Sequence, residues 1–439
     1  MCKNKEIIFV EEFFKRLEEQ KIAYCILRNA DEVKQGDAHD IDMAVDEKHL
    51  ADFENVLKEC GDEFGWKLHS KSGTAKDRYN IKCYHYYFID SEKIYIVHID
   101  VFPTFNWNGY VLLDNSVLIE EIETDSVFHK ANPAVEAVTK LFIRLLHNGY
   151  VKTKYKQYIQ EIFVSRKDKV LNTMRQFMSE KASESVLEYV ANGAWDKLEK
   201  DREVWVKEIK SRAKKNKISH MRHLMRKTIY KTGIMVAFEG TDGSGKSTII
   251  EGLKVVLENT YPEGMFDYYH WRPGVIMKEK KNEDGTAKVV SEPHAKKPYG
   301  KLKSFAKFMF FNVDYILGYW LKVRWQLCKG HLVVFDRYYY DYYMDKIRYR
   351  LNISDRVLKM FQILIPKPDI TFLLIGDASV LYERKKEIPV EEIEFQIQNL
   401  LRNKDNFHNS VIVDVNQSAE AAVKAVAEAI LSSSKEGGK

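Results

Sequence analysis

Between residues 240 and 248 the chain reads Gly-Thr-Asp-Gly-Ser-Gly-Lys-Ser-Thr. Glycines at 240, 243 and 245 let the backbone curl so that successive N–H groups point inward, where they cradle phosphate oxygens. The apolar run Ile234 to Phe238 before it predicts a strand. Ser247 to Glu258 after it predicts a helix, whose positive end adds to the same field. In this setting Lys246 reaches the β- and γ-phosphates of a triphosphate and the Ser247 hydroxyl ligates Mg²⁺. Gly240, Asp242, Gly243, Ser244, Gly245, Lys246, Ser247 and Thr248 are therefore the candidate ATP-binding residues. Catalysis at such a loop consists mostly of positioning and charge stabilisation of the transferred group.

Asp336 ends a second apolar run, Leu332 to Phe335. An acid at the mouth of a parallel strand orients Mg²⁺ or assists the acceptor, and Arg337 can hold an anionic acceptor or the phosphoryl group in flight. The bland alternative is an acid–base pair at a strand end. A different chemistry is suggested near the amino terminus. Alternation along Ile41 to Val45 places Asp40 and Asp42 on one side, and Asp100 follows the strand candidate Ile94 to Ile99. Three carboxylates of this kind can hold Mg²⁺ with oxygen ligands suited to a hard cation. Polar strand ends in a solvated domain are the plain reading, and a fold that binds a ligand or regulates the phosphate-loop part of the chain is a third. His98 shares the side of Asp100 and reads as a structural histidine. No HExxH and no zinc spacing is present among the thirteen histidines and five cysteines.

These residues need elements to carry them. Residues 6 to 20 and Lys48 to Cys60 have helical periodicity. Ile22 to Leu27, Ile41 to Val45, Lys82 to Ile89 and Ile94 to Phe102 predict strands, the last two joined by a turn at Asp90 and Ser91. This makes a small α/β domain over 1–125. Residues 126–232 read as helices and a basic linker, starting at Pro133. From 233 to 439, strands at Ile234, Leu332, Ile370 to Ile375 and Val411 to Val415 alternate with helices at Ser247, Phe305 to Cys328 and Val380 to Leu401. That alternation predicts a mainly parallel sheet covered by helices.

The formal charge is +5, from 69 basic and 64 acidic residues, too small an excess to argue for nucleic-acid binding. Ten Lys/Arg against the single acid Glu208 between Val206 and Lys231 form a basic stretch, read as a solvated helix and linker or as a surface for an anionic ligand. No run reaches 18 uncharged apolar residues, so no transmembrane segment is expected. Without a signal-peptide core or a disulfide pattern, a cytoplasmic location is the default.

Residues 233 to about 430 resemble the thymidylate kinase family of P-loop nucleoside monophosphate kinases. The likeness rests on the loop 240–248, Arg272-Pro273-Gly274, Asp336-Arg337-Tyr338, and Pro368 to Leu374 followed by Glu383-Arg384-Lys385-Lys386. The resemblance implies that Arg272 and Arg337 approach acceptor phosphate and that Asp336 serves the metal and acceptor end. It also implies that Arg384, with Lys385 or Lys386, belongs to a lid over the ATP phosphates, and that Val411 to Ser418 forms the last strand and the loop touching adenine. Three departures lie on the acceptor side. Arg272 meets Pro273 directly where the family has an intervening Glu, Asp314 is followed by Tyr315 rather than Arg, and Tyr339-Tyr340-Asp341-Tyr342-Tyr343 replaces a serine- and glutamine-containing stretch. A polar insertion, Lys278 to Lys303, reads as a lid over an unusual acceptor or as a surface loop. Residues 10–125 resemble the nucleotidyltransferase superfamily, in particular small domains from bacterial polysaccharide gene clusters, through Tyr24 to Asn29 and the paired aspartates. Gly36-Asp37-Ala38-His39 stands where that superfamily has Gly-Ser.

The expected function is an ATP- and Mg²⁺-dependent phosphotransferase acting on a nucleoside monophosphate or other small metabolite such as a sugar derivative. Its catalytic residues would be Lys246, Asp336, Arg337 and Arg384, and the enzyme is either kinase-only or bifunctional. The alternatives are a nucleotide-binding regulatory protein without productive transfer, and a nucleic-acid end-processing kinase joined to a nucleotidyltransferase. A small-molecule acceptor is the expected partner, nucleic acid is not, and a homodimer stays open.

Overall fold

The computed structural model describes the chain except residues 1–4, 37–39, 73–81, 91–92, 121, 125–127, 218–220, 222–224, 226–227, 262–263, 277–296, 434 and 437–439. The tripeptide 37–39, Ser91 and most of the insertion after Lys278, Gly285 included, therefore lie outside the described residues, as does part of the basic stretch 206–231. Two compact units are present, one built from Met1–Lys227 with Glu436–Lys439 and one from Thr228–Lys435.

In the first unit the strands are β1 (Tyr24–Ile26), β2 (Ile41–Val45), β3 (Lys67–Ser72), β4 (Lys82–Ile89), β5 (Ile94–Phe102), β6 (Phe105–Trp107), β7 (Tyr110–Leu113), β8 (Glu123–Thr124), β9 (His129–Lys130) and β10 (Lys214–Lys215). The main sheet runs β3-β4-β5-β2-β1-β9-β8 through these strands, and β10-β7-β6 form a second, antiparallel sheet. The two faces of the main sheet differ in chemistry. Tyr84 and Tyr86 of β4, Val97, Ile99 and Val101 of β5, and Ile41, Met43 and Val45 of β2 pack under the helices Lys5–Glu19 and Leu50–Phe64, meeting Phe9, Phe13, Phe53 and Leu57. Because strand side chains alternate, the intervening residues must face the other way. Those residues are Cys83 and His85 on β4, His98 and Asp100 on β5, and Asp42 on β2. Cys25, Ala44 and Phe102 join a second core with the helices Pro133–Asn148, Thr153–Ser165, Lys167–Arg175 and Glu180–Ala191. Asn132 caps the first of these helices by accepting the Ala134 N–H at 3.0 Å, with Pro133 just inside it.

In the second unit five strands, β11 (Ile234–Glu239), β12 (Phe266–Tyr269), β13 (Leu332–Asp336), β14 (Ile370–Ile375) and β15 (Ser410–Asp414), form a wholly parallel sheet in the order β12-β13-β11-β14-β15. All six residues of β11 are buried, as befits a central strand covered on both faces. The chain leaves β11 toward one edge and later returns to β14 on its other side. The carboxyl end of β11 is therefore the crevice where open α/β sheets bind ligands. The helices Lys246–Val256 and Ala419–Ser432 cross so closely that a Cβ on Gly252 would lie 2.6 Å from Val423 Cγ2. Two expected helices are interrupted. The first runs Lys301–Gly318, widens to a π turn at Tyr319–Val323 and resumes at Arg324–Cys328. The second divides into Ala378–Arg384 and Val390–Asn403, because Pro389 cannot donate within a continuing helix. Among the described residues no helix is long and apolar enough to cross a membrane.

Candidate functional site

At the carboxyl end of β11 the chain turns through Gly240–Gly245 into the helix that begins at Lys246. Gly243 and Gly245 have φ of 83° and 80°, the left-handed region that side chains disfavour. Gly243 also has no room, since a Cβ there would lie 2.4 Å from the Leu381 carbonyl oxygen. Lys246 is folded back over the loop it closes. Its Nζ donates to the carbonyl oxygens of Gly240 at 2.8 Å and Thr241 at 2.9 Å, and to Ser244 Oγ at 3.4 Å. Burial, with Arg337 adding like charge, pulls its pKa down to about 8 against the opposing pull of Asp336 and Asp242. Ser247 and Thr248 are exposed.

Register places Asp336, the last residue of β13, beside Phe238 of β11. Its Oδ2 accepts the Tyr268 hydroxyl at 3.0 Å and has His270 Nδ1 at 3.7 Å. Its Oδ1 is buried with no protein partner. Burial alone would raise this carboxyl, but His270, Lys246 and Arg337 outweigh it and hold Asp336 below the usual range. The exposed Ser247 hydroxyl and an ionised, half-satisfied Asp336 carboxylate are oxygen donors of the kind Mg²⁺ takes.

Arg337 has φ 72° and is buried. Its two terminal nitrogens bind Asp341 Oδ1 at 2.9 Å and Asp242 Oδ1 at 2.8 Å, so the fork implied for the acceptor is held by two carboxylates. Asp242 also pairs with Arg348, and Tyr349 donates its hydroxyl to Asp341. Asp242, despite its burial, is held well below the carboxylate range by Arg337 and Arg348. Glu239 lies beneath this network, fully buried. Burial, reinforced by Asp341, drives its pKa far up, and it accepts the Tyr338 N–H at 2.9 Å.

Arg272 is tied down as well. It binds Asp314 at 2.7 Å, and the same carboxylate accepts the N–H groups of Gly274, Val275 and Ile276 at 2.8–3.0 Å. Asp314, which lacks the following Arg of the resembled family, thus shapes the whole 272–276 loop. Around it, Trp271 stacks on Tyr349 at 4.5 Å and meets Phe311 edge-on at 4.7 Å. Arg272 Nε, Trp271 Nε1 and the Tyr342 hydroxyl are buried there without a protein partner. The run after Arg337 is anchored by its own hydroxyls: Tyr338 donates to Pro366 O, Tyr339 to Leu358 O and Tyr343 to Gln362 Oε1, at 2.6–2.7 Å.

Arg384, Lys385 and Lys386 are exposed at the end of the helix Ala378–Arg384. Lys385 comes close to the phosphate loop, where a Cβ on Gly243 would lie 3.5 Å from its own. Lys385 and Lys386 pair with Glu387 and Glu383. Asp341, Arg348 and Tyr349 were not foreseen from the sequence, and only the charge of the segment 341–350 hinted at them.

In the first unit, β2 and β5 are parallel neighbours with Asp42 directly beside Asp100. One oxygen from each of Asp40, Asp42 and Asp100 lies within 4.8 Å of the others. Arg28 forms an ion pair with Asp42. Burial, with like charge from Asp40 and Asp100, still pushes Asp42 up to about 7. Three carboxylates at this spacing are oxygen donors of the kind a divalent cation takes, and Arg28 occupies one of them.

No protein-family model matches the chain. Among curated proteins it is similar to a probable thymidylate kinase of Pyrobaculum aerophilum, 28% identical over 154 residues, 35% of this chain and 69% of that protein. Similarity extends to the thymidylate kinase of Mycoplasma mobile, 28% identical over 170 residues, covering 37% and 75%. Probable thymidylate kinase 1 of Saccharolobus solfataricus is 26% identical over 204 residues, covering 44% and 96%. The crystal structure of thymidylate kinase from Ehrlichia chaffeensis aligns with 45% of this chain and 98% of that one, at 17% identity and a TM-score of 0.30. Part of the chain, under half of its length, is thus a distant homologue of the thymidylate kinases, which supports a kinase-like superfamily assignment.

Proposed function

We propose that the second unit binds ATP with Mg²⁺ and transfers the γ-phosphoryl group to a small acceptor, a nucleoside monophosphate or another small metabolite. The observation that carries this reading is the buried Lys246, closed over a glycine loop at a helix start and facing the ionised Asp336. A triphosphate would replace the two loop carbonyls as the partner of Lys246 and restore its full charge. Bound Mg²⁺, held through Ser247 and Asp336, would neutralise the oxygens on which negative charge builds. Arg337 steadies Asp242 in the loop, while Lys385 and Arg384 would come down over the phosphates and keep water out. The three unpartnered groups Arg272 Nε, Trp271 Nε1 and Tyr342 Oη favour an acceptor that brings hydrogen-bonding atoms to an aromatic pocket. The acid set Asp40, Asp42 and Asp100 is proposed as a separate Mg²⁺-dependent, nucleotidyltransferase-like centre.

A second reading has an observation of its own: both arginines implied for the acceptor are engaged by carboxylates. A nucleotide-binding protein without productive transfer would look like this. A phosphoryl-transfer screen over nucleoside monophosphates and sugars separates the readings. Acceptor-dependent ADP release that Lys246→Ala and Asp336→Asn abolish, and Asp40→Ala/Asp42→Ala leaves intact, supports the kinase. ATP binding with no such release for any acceptor supports the second reading.

A further inference from the structure

The polar face of the first unit's sheet holds a second cluster beside the aspartates. Antiparallel register sets Cys83 opposite Asp100 and His85 opposite His98. Two adjacent cross-strand pairs thus put a thiol, two imidazoles and a carboxylate on one face, with the other face of both strands committed to the apolar core. Sγ of Cys83 and one ring nitrogen from each of His85 and His98 all lie within 4.8 Å of one another. His98 Nε2 is 2.8 Å from the Cys83 sulfur and 3.0 Å from Asp100 Oδ1. Cys83, His85 and Asp100 are each less than a tenth exposed.

From this geometry we propose a tetrahedral site for a borderline-soft divalent ion, Zn²⁺ above all, with Cys83, His85 and His98 as its ligands and Asp100, whose Oδ1 lies 3.0 Å from His98 Nε2, moving in as the fourth. The donor set decides the ion. Thiolate and imidazole select Zn²⁺ over Mg²⁺ or Ca²⁺, which prefer oxygen. The dimensions agree. Zn–N and Zn–S bonds of about 2.0–2.3 Å in a tetrahedron set neighbouring donors roughly 3.3–3.6 Å apart, within an ångström of the 2.8 and 3.0 Å that separate His98 Nε2 from Cys83 and Asp100, and inside the 4.8 Å that bounds the thiol and the two imidazoles. The ligands sit on paired strands, which hold them at fixed separation. Binding releases the Cys83 thiol proton to solvent, so the sulfur enters as thiolate, and frees His98 Nε2 of the proton it shares with Asp100, so the imidazole enters through a bare nitrogen. Asp100 also belongs to the neighbouring acid set, so the site would fix one oxygen of Asp100 and leave the other toward Asp42.

The test uses the full chain, stripped with chelator and reloaded with Co²⁺ in excess Mg²⁺, the Mg²⁺ occupying oxygen-only sites. Expected are one Co²⁺ per chain, a thiolate-to-cobalt charge-transfer band and tetrahedral d–d bands, all displaced by one equivalent of Zn²⁺. Cys83→Ser should abolish the charge-transfer band, and His98→Gln should weaken Zn²⁺ binding by more than the roughly 10–100-fold that losing an outer-shell partner costs. Asp40→Asn should leave both signals in place. Circular dichroism and ATP binding by the second unit report that each variant is folded. Cobalt bands absent from folded wild type, or surviving Cys83→Ser, would overturn the assignment. So would spectra lost to excess Mg²⁺ alone.

Discussion

Lys246 carries a free-energy debt that a triphosphate would cancel, and the size of that debt can be read from pH. Unliganded, the buried ammonium titrates near 8 rather than near the ordinary value of about 10.4. The gap, about 2.4 pH units, corresponds to about 3 kcal/mol disfavouring the charge in the empty loop. Below pH 8 the lysine is protonated with or without ATP, and the dissociation constant should be flat. Above pH 8 the free protein has lost the proton that the bound state retains, so binding takes one up. The dissociation constant should then climb about tenfold per pH unit, to roughly 250-fold by pH 10.4. The unfolded chain keeps the proton over the same window, so this group's penalty on the unliganded fold is full below pH 8 and fades as pH rises to 10.4. Titration of ATP–Mg²⁺ by calorimetry from pH 7.5 to 10, in buffers of differing ionisation enthalpy, measures affinity and proton uptake together. Lys246→Met should bind weakly with no pH dependence across that range. A wild-type constant that stays flat from pH 8 to 10, or a Lys246→Met variant with the same slope, would refute the reasoning.

Other substitutions probe the surrounding network. Because burial drives the Glu239 pKa far up, the neutral isostere Glu239→Gln should change stability by less than about 1 kcal/mol, whereas Glu239→Ala should cost about 2–4 kcal/mol in urea unfolding by stranding the Tyr338 N–H and opening a cavity. Asp314→Asn keeps the volume but removes the charge that gathers Arg272 and three backbone N–H groups, and should cost about 3–5 kcal/mol, seen as a lowered melting temperature. Gly243→Ala puts a Cβ into the Leu381 carbonyl at a φ that costs about 1–2 kcal/mol by itself. ATP affinity should fall at least about tenfold, measured with a fluorescent nucleotide. Asp336→Asn should lower kcat by roughly 10²-fold or more and weaken ATP–Mg²⁺ binding too, since it removes a proposed Mg²⁺ ligand and charge where the reacting oxygens gather.

The phosphate loop was legible in the sequence because its chemistry depends on neighbours in the chain: a strand, three glycines, a lysine and a helix start within fifteen residues. The strands carrying Asp42, Asp100 and Asp336 were legible for the same local reason, namely continuous apolar or aromatic runs. What the sequence did not reveal depends on distance. Arg272 and Asp314 are separated by 42 positions and meet only because a helix passes the loop. Arg337 is held by Asp242, 95 positions away. The short strand β12, Phe266–Tyr269, has too few residues to show a period. Cys83, His85, His98 and Asp100 form no spacing motif along the chain, because cross-strand register brings them together. Glu239 lies one residue past the predicted strand Ile234 to Phe238, and only the fold shows it buried, with its pKa driven up by burial and by Asp341.

The tyrosine segment 338–343 has a consequence for turnover. Three of its hydroxyls are fastened to backbone or amide oxygens of residues 358–366, and Tyr340 lies stacked on Phe407 at 4.6 Å. The ordering entropy of this stretch is lost during folding, so an acceptor of the proposed kinase would meet a stiff bench rather than a jaw. Amide hydrogens over 338–343 should therefore exchange as slowly with substrates as without, and in the proposed cycle any gating would fall to the exposed Arg384–Lys386 side, a single flank.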